Sequence, residues 1–117
     1  MKIIHKSDKH KQIALWATDS AQHVLKYFEK ENPKDNRPRK AIKAARDWAF
    51  GRTSIAEARK AALAAHAAAR KAKAPAATAA ARAAGHAAAT SHVWEHAFAA
   101  ESYAKKLGFA KCVICDN

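Results

Sequence analysis

The sequence predicts an all-α protein folded as a compact antiparallel bundle of four or five helices. Apolar residues recur at three- and four-residue spacing in the first third of the chain, as on one face of a helix. Thirty-three of the 117 residues are alanine, which has the highest helix propensity. Because alanine leaves little side chain between neighbouring helix axes, we expect a thin core, with the large apolar side chains of the two chain ends in contact.

The first predicted helix covers residues 8–31. Its apolar stripe contains Ile13, Trp16, Ala17, Ser20, Val24, Tyr27 and Phe28. Ser7 or Asp8 is expected to cap this helix, because a side-chain oxygen at that position accepts a hydrogen bond from a free backbone N–H. Residues 32–36, Asn-Pro-Lys-Asp-Asn, then form a turn.

The next two helix boundaries are predicted from turn and capping residues. Pro38 suits the first turn of a second helix, where its missing N–H costs nothing. That helix is expected to end near Phe50, with Gly51 in the left-handed conformation that follows many helices. Ser54 and Glu57 have the spacing of a capping box, in which each side chain bonds the other's backbone N–H. A third helix therefore begins directly after this serine.

Proline and glycine set the expectations for the second half of the chain. The third helix is expected to run to about Lys73, because Pro75 excludes the helical conformation at the residue before it. The same proline starts a fourth helix over residues 76–95. Residues 97–107 are also helical by pattern, and the sequence leaves open whether they continue that helix. Gly85 costs roughly 1 kcal/mol relative to alanine in a helix, so we expect a close helix crossing there.

The length of the chain predicts one domain over residues 1–117, with a core over 8–108 and a short tail over 109–117. No apolar run is long enough to span a membrane, and no apolar signal region follows the basic N-terminus. We therefore expect a cytoplasmic protein without a membrane partner, in which Cys112 and Cys115 are free thiols. A thin alanine core stabilises a monomer poorly, which favours a homodimer.

Histidine and arginine are arranged almost symmetrically around Pro75. His66 and Arg70 precede the proline, and Arg82 and His86 follow it at similar distances. In an antiparallel hairpin, residues at equal distance from the turn lie at equal height. His66 is therefore expected level with His86, and Arg70 level with Arg82.

Two further histidines extend this group. At 100° per residue, His86, His92 and His96 share one broad face of a continuous helix. One interpretation is a histidine and arginine cluster that binds an anion, a carboxylate or a metal. The other is a set of buried imidazoles, hydrogen-bonded to the backbone or to residues such as Thr90 and Ser91. The sequence leaves both open.

Catalytic and metal motifs are weak. His92-Val-Trp-Glu95-His96 matches the inverted zincin pattern. A catalytic zinc needs a third protein ligand, and only Glu101, Asp116 and the two cysteines follow. The C-x-x-C pair lacks both a second half and a thioredoxin-like context. There is no glycine-rich phosphate loop and no local signature of a nucleophile, so we predict no metal, no cofactor and no catalytic residue.

The net charge of +12 favours acidic partners. Lysine and arginine lie among alanines between residues 59 and 82, as in the lysine-alanine tail of a DNA-binding protein. A small basic nucleic-acid-associated protein is therefore the alternative function. No aromatic stacking platform is interleaved with these basic residues, which disfavours nucleic acid as the partner.

Three segments carry a family resemblance: Asp35–Trp48, Ala64–Arg70 and Ala83–Val93. The pattern residues, two of which (Arg82 and His96) lie just outside these segments, are Arg37, Arg46, Asp47, Trp48, His66, Arg70, Arg82, Gly85, His86, His92 and His96. Over roughly residues 8–107 the chain resembles the immunity proteins of bacterial polymorphic toxin systems, in the fifth-family-like group. The resemblance implies a small, mostly α-helical cytoplasmic protein that binds and neutralises a toxin.

We therefore interpret the chain as a non-enzymatic binding protein of the immunity type, which blocks a toxin through a helical surface. The candidate binding residues are His66, Arg70, Arg82, His86, His92 and His96. The candidate structural residues are Trp16, Asp47, Trp48 and Gly85. Inhibitors of basic nucleases are usually acidic, because like charges slow association. The positive net charge thus favours an acidic toxin or a target other than a nuclease.

Overall fold

Five α-helices make up the regular structure of the chain. The computed structural model describes residues 6–108, and their side chains from Asp8 onwards. The helices are α1 (Lys6–Glu31), α2 (Arg37–Ala49), α3 (Ile55–Lys71), α4 (Pro75–Ala89) and α5 (His96–Lys105). No strand occurs in these residues. The predicted all-α bundle is confirmed, and the tail with its two cysteines lies outside the described residues.

Helix α1 begins two residues earlier than predicted and ends where predicted. Because it begins at Lys6, Ser7 and Asp8 lie inside its first turn instead of before it. The prediction that one of them caps the helix is therefore wrong. The carboxylate of Asp8 still lies where the positive end of the helix dipole favours it.

Helix α2 has the predicted ends. Pro38 lies in its first turn. At the other end Gly51 has φ +75°, the left-handed conformation predicted for it. The Gly51 N–H donates to the Trp48 carbonyl (3.0 Å) and the Arg52 N–H donates to the Asp47 carbonyl (2.8 Å). These two bonds form a complete Schellman motif, which ends the helix and turns the chain towards α3.

Helix α3 is capped at its start and extended backbone follows its end. The Glu57 N–H donates to Ser54 Oγ (3.1 Å), which is one half of the predicted capping box. The reciprocal bond, from the Ser54 N–H to the Glu57 carboxylate, is not formed between these two described residues. The helix ends at Lys71, two residues earlier than predicted, because Ala72 is already extended (ψ 139°). Ala74 is also extended (ψ 134°), as the following proline requires.

The predicted length of α4 is wrong, because the helix ends at Ala89 and residues 90–95 form turns. Two hydroxyl groups explain the end. Thr90 Oγ1 donates to the His86 carbonyl (3.0 Å) and Ser91 Oγ donates to the Ala88 carbonyl (2.7 Å). Such bonds compete with the continuing backbone ladder. Helix α5 is therefore a separate element.

Helix α4 is the centre of the bundle, since it packs against each of the other four helices. Its buried residues are Ala77, Ala80, Ala81, Ala83, Ala84, Gly85, Ala87 and Ala88. The largest fully buried side chains, Phe28, Leu25, Ile42 and Val24, come from α1 and α2. The predicted contact between the two chain ends is confirmed, because Trp16 of α1 meets Phe98 of α5 edge to face at 5.8 Å. The core of the structure is thus the thin alanine core that the sequence predicts.

Candidate functional site

Four of the predicted site residues come together where α3, α4 and α5 meet. We call His66, Arg82, His86 and His96 the histidine cluster. Arg82 Nη1 donates to His66 Nδ1 (2.8 Å). The His66 and His86 rings meet edge to face at 4.8 Å. His86 Nδ1 and His96 Nδ1 are 3.0 Å apart, within hydrogen-bond distance.

The hairpin symmetry predicted part of this arrangement. His66 does lie level with His86, as equal distance from the turn required. Arg82, however, contacts His66, while Arg70 is exposed one turn further along α3. Arg70 and Arg82, which were predicted to form a pair, therefore do not contact each other.

The prediction that His86, His92 and His96 share one face of a continuous helix is wrong, because α4 ends before residue 90. His86 and His96 meet across the turns between two helices. His92 is exposed, and its ring centroid is 6.5 Å from that of His96. Of the six candidate binding residues, four form the histidine cluster and two point to solvent.

Gly85 makes room for His66, as the predicted close crossing required. A Cβ atom at Gly85 would lie 2.7 Å from His66 Nε2 and 2.7 Å from His66 Cε1. Real Cβ atoms essentially never come that close to another heavy atom. The missing side chain therefore lets the imidazole of α3 lie directly on the backbone of α4.

The hydrogen bonds determine which nitrogens carry hydrogen. A guanidinium group only donates, so His66 Nδ1 must accept and its neutral form carries hydrogen on Nε2. In the second pair, one of the two Nδ1 atoms donates and the other accepts. Protonation of His66 on Nδ1 would remove the acceptor and place a second positive charge beside Arg82. The cluster is therefore built for neutral imidazoles.

The electrostatics agree with neutral imidazoles. Burial, followed by the charge of Arg82, lowers the pKa of His66 from 6.5 to about 4. Burial, followed by the other histidines, lowers the pKa of His86 from 6.5 to about 4. The pKa of His96 is also lowered, mainly by burial and then by His92. At neutral pH the fixed charge of the cluster is the one guanidinium.

These lowered pKa values predict loss of stability in mild acid. The unfolded chain binds protons below pH 6.5, whereas folded His66 and His86 resist them until about pH 4. The free energy of unfolding should therefore fall as the pH decreases from 6.5 to 4. One pKa unit corresponds to about 1.4 kcal/mol, and for two partly exposed rings we expect a screened total near 2 kcal/mol.

Urea unfolding at several pH values measures this effect. We expect His86→Gln to flatten the pH dependence between 6.5 and 4, because it removes one of the shifted groups. His92→Gln, at the exposed position, is the matched control and should keep most of the slope. Equal slopes in the wild type and His86→Gln would contradict the prediction.

Comparison with known families identifies the chain. The family model described as "Imm-5 like putative immunity protein" matches residues 4–112. The chain belongs to this family. The matched range of the Imm-5 like domain contains all five helices and the histidine cluster. Comparison with curated proteins and with solved structures finds no significant match.

The candidate structural residues of this Imm-5 like protein lie at helix contacts and ends. Trp16 is buried against α5. Asp47 pairs with Lys43 (2.6 Å) and with Arg52 (3.6 Å), and these cations hold its pKa below the usual range. The Trp48 ring lies 4.8 Å from that of His10.

Sequence reasoning missed two residues that support the cluster. Tyr103 stacks on His86, with ring centroids 5.6 Å apart. It lies seven residues after His96 on α5, and this two-turn spacing was a usable signal. His10 Nε2 donates to the Thr90 carbonyl at the end of α4. No pattern in the sequence links these last two residues, which are far apart in the chain.

The inverted zincin pattern is not arranged for metal binding. Residues 92–95 lie in the turns before α5, so His92 and His96 are not one turn apart on a helix. In the part of the chain that the structure describes, no group of three or more His, Cys, Asp or Glu residues could hold a metal ion. No described helix is long and apolar enough to cross a membrane.

Proposed function

We propose that this protein is an immunity protein that binds a toxin directly and neutralises it without catalysis, in the cytoplasm. The observation that carries the proposal is the match of residues 4–112 to the Imm-5 like family. The match extends beyond the described helices at both ends. We therefore also propose that residues 1–117 form one domain.

We propose that the histidine cluster holds helices in register and that the toxin binds elsewhere. His66 bonds Arg82 and His86 faces His96, so these polar groups are partnered within the chain. Each imidazole thus uses one of its two ring nitrogens for a contact within the chain. Arg70 and His92 are exposed and remain candidates for toxin contact.

The net charge of the protein indicates the charge of the toxin surface that it binds. With a net charge of +12, association is fast with an acidic partner and slow with a basic one. We therefore propose a toxin whose contacted surface is acidic. Such binding weakens as salt screens the charges.

Co-expression tests this function. We expect the chain to restore growth to a bacterial host that produces the toxin encoded beside its own gene, and to co-purify with that toxin at low salt. The control is Ala84→Leu, which we expect to destabilise the bundle and so to weaken rescue. Absence of both rescue and complex formation with the wild-type chain would contradict the proposal.

A homodimer also remains a proposal. Trp94 and Phe98 are 43% and 41% exposed and meet edge to face at 5.7 Å, so they form a small aromatic patch at the start of α5. Exposed aromatic patches favour association. Size-exclusion chromatography with light scattering gives the mass that tests it.

A further inference from the structure

The hairpin of α3 and α4 carries basic side chains that form no ion pair in the described residues. From Ala58 to Trp94 the sequence contains no aspartate or glutamate. The same stretch contains Arg59, Lys60, Arg70, Lys71, Lys73 and Arg82. The ion pairs of residues 8–108 use cations from α2, from the turn after it and from α5, and none from this hairpin. These cations are therefore available to an external partner.

One side of α3 combines this charge with exposed apolar residues. We call Ile55, Arg59, Leu63 and Arg70 the α3 ridge, because at 100° per residue they lie within about 80° of arc. Leu63 is 69% exposed, more than any other large apolar residue of the described chain, and Ile55 is 47% exposed. The adjoining side of α3 packs through alanines against α2 and α4.

The chemistry of the α3 ridge fits a protein partner. An apolar surface that covers the exposed leucine and carboxylates that meet the two guanidinium groups would both contribute to affinity. Arginine is enriched at protein interfaces, where it often contributes strongly to affinity. A single-stranded nucleic acid would also stack its bases on Phe, Tyr or Trp side chains, and neither α3 nor α4 contains one.

We infer that the α3 ridge is the surface through which this protein docks on its toxin. The inference rests on the proposed function and adds the chemistry of the partner. The toxin presents an acidic surface with carboxylates about 16 Å apart, the rise of eleven helical residues between Arg59 and Arg70. Between them an apolar hollow accepts Leu63.

Charge reversal on two faces of the protein tests this inference. The test variants are Arg59→Glu with Arg70→Glu, and separately Leu63→Ser. The control is Lys9→Glu with Lys26→Glu, which changes the net charge equally on α1, a helix that does not touch α3 in the described structure. All five side chains are exposed, and the four basic ones form no ion pair in the described residues, so the fold should be kept. Circular dichroism melts check that it is.

The probe is the toxin domain encoded beside the gene, measured by calorimetry at 0.15 M salt. We expect the double arginine variant to bind about 100-fold more weakly, Leu63→Ser about 10-fold more weakly, and the control within about threefold of the wild type. Ridge variants that bind and rescue like the wild type would overturn the ridge and leave the immunity function standing.

Three other outcomes count against the inference. A wild-type chain that neither binds nor rescues overturns the function and the ridge together. Binding of a duplex DNA oligonucleotide that is tighter than toxin binding, and that the double arginine variant abolishes, would make the ridge a nucleic-acid surface and overturn the inference. If the α1 control weakened toxin binding equally, the effect would come from net charge alone. The inference would then also be overturned.

Discussion

Replacing Ala84 by leucine is expected to destabilise the bundle by about 3 kcal/mol and to lower its melting temperature by about 10–15 °C. Ala84 is fully buried in α4, the helix that packs against all four others. Three added carbon atoms at that position have no direction in which to expand without separating helices. Thermal melts followed by circular dichroism at 222 nm measure the change.

The matched control is Ala56→Leu, at an exposed position in the first turn of α3. Leucine and alanine have similar helix propensity, so this variant should melt close to the wild type. If Ala84→Leu also melted within a few degrees of the wild type, the alanines of α4 would not be in close contact with their neighbours, and the description of the core would be wrong.

Gly85→Ala is expected to destabilise the protein by about 1 kcal/mol, although alanine is the better helix former. A Cβ atom there would lie 2.7 Å from the His66 ring, so the ring has to move. Moving it breaks the bond from Arg82, and a hydrogen bond to a charged group contributes about 2 kcal/mol. The gain in helix propensity returns about 1 kcal/mol.

The same substitution should have the opposite sign once the imidazole is removed. In a His66→Ala background, Gly85→Ala is expected to stabilise by about 1 kcal/mol, because only the propensity gain remains. The double-mutant cycle should therefore give a coupling of about 2 kcal/mol. Urea unfolding of the four proteins measures it. A coupling near zero would mean that His66 does not lie on Gly85.

Local signals in the sequence predicted the boundaries that local chemistry controls. Pro38, Gly51, Ser54 and Pro75 lie at helix ends, and each acts through its own ring, bare backbone or hydroxyl group. The end of α4 was missed because Thr90 and the serine after it are polar enough to break a helix but common within one. Only the structure shows their hydroxyls bonded to carbonyls of the preceding turn.

The sequence predicted which residues belong to the candidate site better than it predicted how they are arranged. The hairpin symmetry around Pro75 brought His66 level with His86, because register in a hairpin follows from counting residues. It did not predict that Arg82 would bond an imidazole, since this depends on the room left by Gly85. The contact between His86 and His96 depends on the angle between α4 and α5. The turns at residues 90–95 set this angle, and the sequence pattern does not predict it.

The composition of α4 has a consequence for the thermodynamics of folding. An alanine side chain has no rotamers to lose, so enclosing the alanines of α4 costs only the ordering of their backbone. A bundle arranged around such a helix can fold with less buried hydrocarbon than one filled with leucine. Its heat capacity of unfolding should accordingly be small for a chain of this length, and its stability should change only gently with temperature.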